Sequence, residues 1–182
     1  ELTEAQLQDP EGFNLDSGAD AVFGEKTHED RLRMLDDNVY GPEALVLAGF
    51  RPEEAVIART VLDSAGGGVV KVLLCTDDVL YGTVDEAIWS AEVDWAQPRP
   101  ASWNAASAWG SQKAVLFSGM SVGAQATVLE LLDGAGLLHI CACMALEDEA
   151  SRRVGDVLAD AVKDQRKMSS THASKDVFNA VQ

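Results

Sequence analysis

AVLFSGMSVGAQATVLELLDGA, residues 114–135, runs from a short apolar stretch through a Gly-Met-Ser-Val-Gly turn into an amphipathic helix pattern. The same grammar occurs once before. ALVLAGF at residues 44–50 matches AVLFSGM at 114–120, and LDSAG at 62–66 matches LDGAG at 132–136, all at an offset of 70 residues (Gly119 against Gly49). Self-similarity at a fixed spacing marks a repeated structural unit. The chain therefore reads as one unit written twice.

Each copy is expected to run strand, helix, strand, helix. The unbroken apolar run at 44–50 implies a central strand covered on both faces. Pro52, with Glu53 and Glu54 behind it, suits the first turn of a helix. Ala58, Val61, Leu62 and Ala65 then recur at helical spacing, as Val128, Leu131, Leu132 and Ala135 do in the second copy. Strands are expected over 69–75 and 139–145, with third elements at 83–91 and 153–163. The parts are an acidic N-terminal arm with a short helix (1–43), a duplicated domain (44–164) and a C-terminal tail (165–182). Within the domain, copy one spans 44–91, a tryptophan-rich connector 92–112 and copy two 113–164. Two β-α-β units most simply share one sheet, so the expected class is α+β, a ferredoxin-like four-stranded sheet with helices on one face. A doubly wound, flavodoxin-like α/β sheet is the alternative.

The formal charge is −16, and residues 1–43 carry 12 Asp and Glu against 3 Lys and Arg. Such a surface repels phosphate backbones, so no nucleic-acid partner is expected. Apolar runs fall short of the roughly 18–20 residues of a membrane helix, so no direct membrane span is expected. Three cysteines without small-scaffold spacing fit a reducing compartment. Glu1 in place of Met is expected either of a mature form that has lost a targeting segment or of a shortened chain.

Two motifs invite chemistry. Gly119-Met-Ser-Val-Gly123 has the G-x-S-x-G form of a nucleophile elbow between a strand and a helix, making Ser121 a candidate hydrolase nucleophile. The equivalent turn at Gly49-Phe-Arg-Pro-Glu53 lacks a serine, and Ser121 has a sufficient role as a helix N-cap. A triad also needs an acid and a histidine, and only His139 and His172 follow the serine. Strand alternation from 139 would place His139, Cys141 and Cys143 on one face as candidate metal ligands, with Cys75 and Lys71 on the partner strand. Residues two apart on a strand lie about 6–7 Å apart, which strains a shared tetrahedral ion. No cofactor is expected: Gly66-Gly67-Gly68 follows a helix instead of opening one and lacks the Lys-Ser/Thr of a phosphate loop.

All four tryptophans, Trp89, Trp95, Trp103 and Trp109, cluster in and beside the connector, and the acidic arm carries Phe13 and Phe23. Aromatic side chains at this density either plug a seam or meet a partner protein. The leading functional expectation is a non-catalytic protein–protein interaction or assembly subunit of a larger complex, with these six residues as its contacts. A serine hydrolase and a small-ligand or metal sensor are the alternatives. The doubled unit, with Ala48-Gly49-Phe50 and Ser118-Gly119-Met120 closing apolar strands and Val84–Ile88 echoed by Val154–Leu158, resembles a domain-of-unknown-function family of small duplicated α/β proteins of bacteria and of plant and algal plastids. The resemblance implies chloroplast residence, and a photosynthetic complex as the setting. It brings no catalytic or ligand residues.

Overall fold

The computed structural model describes residues 28–97 and 105–179. At its centre β1 (Ala44–Ala48) lies antiparallel to β3 (Ala114–Ser118), and all ten residues are buried. β2 (Lys71–Leu74) pairs parallel with β1, and β4 (Cys141–Met144) pairs parallel with β3. The sheet order is β2-β1-β3-β4. Helix α1 (His28–Asp37) precedes this body, α2 (Pro52–Ser64) joins β1 to β2, and α5 (Val122–Gly134) joins β3 to β4. The short α3 (Asp77–Tyr81) and α4 (Val84–Trp89) follow β2, and the long α6 (Val154–Asn179) follows β4.

The class is α+β with a four-stranded mixed sheet. The expected ferredoxin-like arrangement with helices on one face is not the one formed. Leu45, Leu47, Val115 and Phe117 face α2 and α5, whereas Ala44, Val46, Ala48 and Leu116 face α3, α4 and α6. Burying one such aliphatic side chain is worth about 1.5–3 kcal/mol. Leaving Val46, Leu116 and Leu73 in water would cancel much of a stability of about 5–15 kcal/mol, so the second face is covered too. The third elements, expected at the edges, are that cover. The sheet is not the doubly wound alternative either, because its central pair is antiparallel. The expected tail from 165 is instead part of α6, one helix from Val154 to Asn179.

Elements of residues 44–89 have counterparts 70 residues on: β1 and β3, α2 and α5, β2 and β4, and the starts of α4 and α6. The pairing respects that offset. Val46 faces Leu116, its own counterpart, and an isolated bridge joins Thr83 to Arg153, again 70 apart. Around that bridge the Val84 N–H donates to the Arg152 carbonyl (2.9 Å), and the Val154 N–H to the Gly82 carbonyl (3.0 Å). The two halves thus meet about an approximate two-fold axis through the central pair.

The two turn glycines close this pair at either end. Gly49 (φ +75°) lies where a Cβ would sit 2.1 Å from the Gln112 carbonyl oxygen, and Gly119 (φ +67°) where one would sit 2.4 Å from the Pro42 carbonyl carbon. Both conditions exclude a side chain, one through backbone conformation and one through contact with another backbone. Gly119→Ala should cost on the order of 3 kcal/mol in urea unfolding. Gly136→Ala, at φ +83° with no neighbour within 4 Å, should cost about 1 kcal/mol, from backbone conformation alone. Equal losses at the two sites would show that close approach contributes nothing.

Candidate functional site

Ser121 is exposed at the N-terminus of α5, where its Oγ accepts the Ala124 N–H at 3.2 Å. Asp36 of α1 accepts the neighbouring Val122 N–H at 2.7 Å, so two oxygens satisfy donors that the first helical turn leaves open. The Gln125 amide donates to the Met120 carbonyl at 3.0 Å. His139 is not mid-strand as expected. It precedes β4 in a left-handed conformation (φ 59°), and the Gln112 amide, just before β3, reaches its carbonyl at 3.5 Å. Since β3 and β4 run parallel, His139 sits before the start of this strand pair and Ser121 beyond its end, with the length of the strands between them. Among the described residues whose side chains are placed, no histidine approaches the serine.

The three thiols fare similarly as ligands. Cys141 and Cys143 lie on the face under α6, and Cys75 packs on the same face at the end of β2. But β2 is not the partner of β4. The two are opposite edges of the sheet, three strand spacings or roughly 14 Å apart, and zinc–sulfur bonds are about 2.3 Å. Burial pushes the Cys75 and Cys143 thiols up to about 12, with Asp77 adding to the first and Cys141 and Glu149 to the second, and burial raises Cys141 as well. Thiols so protonated at neutral pH are poor ligands and poor nucleophiles. Among the described residues no three His, Cys, Asp or Glu side chains gather as metal ligands would. Lys71 donates to the Ile88 carbonyl (2.6 Å) and the Ser90 carbonyl (2.9 Å), closing the C-terminal end of α4.

The tryptophans divide. Trp95 packs with Val93 on the α2–α5 side and donates its indole N–H to Glu92, whereas Trp109 packs on the opposite side and donates to the Gln112 carbonyl at 2.7 Å. Trp89, at the end of α4, is 61 % exposed. Beside it the Tyr40 hydroxyl donates to Asp85 at 2.7 Å. That bond, with burial and the Asp85 charge behind it, raises the Tyr40 pKa against the opposing Trp89 indole. Phe13, Phe23 and Trp103 lie outside the described residues. Tyr40 and Asp85 escaped the reading of the sequence because 45 residues separate them and neither carries a motif.

Fold and site together define a small α+β domain, a four-stranded mixed sheet between two helical layers. No protein-family model, curated protein or solved structure matches the chain. Among the described residues no helix is long and apolar enough to cross a membrane.

A fluorophosphonate probe should leave Ser121 unlabelled, while Ser121→Ala should lower stability by about 1 kcal/mol through loss of the cap; probe labelling that vanishes in the variant would show a nucleophile instead. The thiols should react with Ellman's reagent at pH 8 far more slowly in the native protein than in denaturant, where all three titrate. A native thiol that reacts at the denatured rate would contradict the burial described.

Proposed function

We propose that the chain is a non-catalytic interaction or assembly subunit of a larger protein complex, built from two copies of one β-α-β-α unit. On the resemblance stated above, the proposal includes a place in that duplicated family and residence in a plastid. The observation that carries the reading is the Trp89 indole, 61 % exposed beside Tyr40 on the surface of a helix. Exposed large aromatics are the residues that dominate binding energy when a partner covers them. Trp95 and Trp109, by contrast, are spent on the domain's own two helical faces. Phe13, Phe23 and Trp103 stay within the proposal as further contacts.

The test is co-purification of tagged chain and its Trp89→Ser variant from the source cells. The variant should lose the co-purifying protein while its stability changes by no more than about 0.5 kcal/mol, as befits an exposed position. Undiminished capture by the variant would overturn this surface as the contact.

A further inference from the structure

The two outer edges of the sheet are built alike and finished differently. On β2 the outward Val72 N–H donates to Glu92 Oε1 at 3.0 Å, Val93 and Trp95 pack against the same apolar cluster as Val72, and Val72 is 1 % exposed. The buried Arg59 holds this segment. Its guanidinium reaches Glu92 (3.1 Å), Asp63 (2.7 Å), the Gly67 carbonyl (2.9 Å) and the Val70 carbonyl. Seventy residues on, Asp133, Leu137 and Ile140 repeat the acceptors, but Leu129 stands where Arg59 was. The chain does not return along β4 either. It continues as α6, and Val162, the counterpart of Glu92, enters the core.

Ala142, the counterpart of Val72, is consequently exposed. The Cys141 and Ala145 N–H groups donate to the Lys113 and Phe117 carbonyls, so the alternate residues Ala142 and Met144 turn their N–H and C=O outward. Alongside lies an open groove of about 380 Å³ lined by Leu129, Glu130, Asp133, Leu137, His139 and Ile140. We propose that this edge is a strand-addition site for an extended, cationic and apolar peptide segment of another protein. Its backbone would pair with Ala142 and Met144, an aliphatic or aromatic side chain would enter the groove over Leu129 and Ile140, and an Arg or Lys would meet Asp133 as Arg59 meets Asp63. The first half of the chain is the template, filling the matching place with Glu92, Val93, Trp95 and Arg59.

Charge selects the occupant. Two β4 edges paired antiparallel would set Glu130 and Asp133 of one copy against Glu147 and Asp148 of the other, in a chain of net charge −16. Residues 1–27, with seven acids and one lysine, meet the same repulsion. A cationic segment is drawn in.

The inference rests on the reading of the chain as a binding subunit, and adds a surface distinct from Trp89. It is tested with the full chain and a fluorescein-labelled Lys-Val-Arg-Val-Lys-Val-Arg-Val peptide, followed by anisotropy at low salt. The cationic peptide should bind at least tenfold more tightly than its Glu/Asp counterpart. Ala142→Pro, which removes an outward N–H of an edge strand, and Leu129→Arg, which restores the arginine of the first half, should each weaken binding at least tenfold while the chain still unfolds in one cooperative transition. Trp89→Ser should bind the peptide as the parent does, so failure here and failure of the Trp89 contact are separate results. Absence of binding by the parent chain, or binding by both edge variants as tight as the parent's, would overturn the proposal. So would a dimer that Ala142→Pro dissociates in sedimentation, which makes a second copy the occupant. A tenfold gain on removing residues 1–27 would likewise overturn it by assigning the edge to the chain's own arm.

Discussion

The antiparallel pairing of β1 with β3 is the constraint on which the rest depends. Each strand is the apolar run of its half, each faces the equivalent residues of the other, and Val46 against Leu116 marks the centre. Joined, the halves make a sheet whose alternating side chains demand a helical layer above and below, and the chain supplies α2 and α5 for one and α3, α4 and α6 for the other. The glycine corners exist to let this pair close, since each passes within van der Waals contact of the segment leading into the opposite strand.

That constraint also bears on the motifs. A G-x-S-x-G corner at the end of a central strand is the shape of a hydrolase elbow, yet here both glycine corners serve closure, and only one carries a serine. The serine oxygen is occupied with a helix N-terminus, and His139 lies at the other end of the strand pair. The histidine–cysteine alternation dissolves for a related reason. Strand β4 begins at Cys141, two residues later than the apolar pattern suggests, and Cys75 sits on the opposite edge of the sheet.

Symmetry makes the departures from it informative. Where the halves agree, as at the glycine corners, the lengths of α2 and α5 and the Thr83–Arg153 bridge, the shared feature is explained by folding. Where they differ, folding alone does not require the difference: an arginine clamp and a returning segment on one edge, a leucine and a continuing helix on the other. The acidic, open β4 edge and the exposed Trp89 both lie among these differences, Trp89 having Ala159 as its counterpart.

The strand and helix on either side of each glycine corner, the stop at Gly66 and the cap at Ser121 were all legible in the chain, because each depends on residues within a few positions of one another. The unbroken apolar run at 44–50 even announced a strand covered on both faces, which the ferredoxin-like expectation then ignored. What only the tertiary structure decided was relative: that the halves meet antiparallel through β1 and β3, that β2 and β4 become opposite edges, that Trp95 and Trp109 go to different faces, and that Trp89 stays outside. Those outcomes turn on which buried surface meets which across 40 to 80 residues of chain. Local pattern shows that a surface must be buried, and carries no information about what buries it.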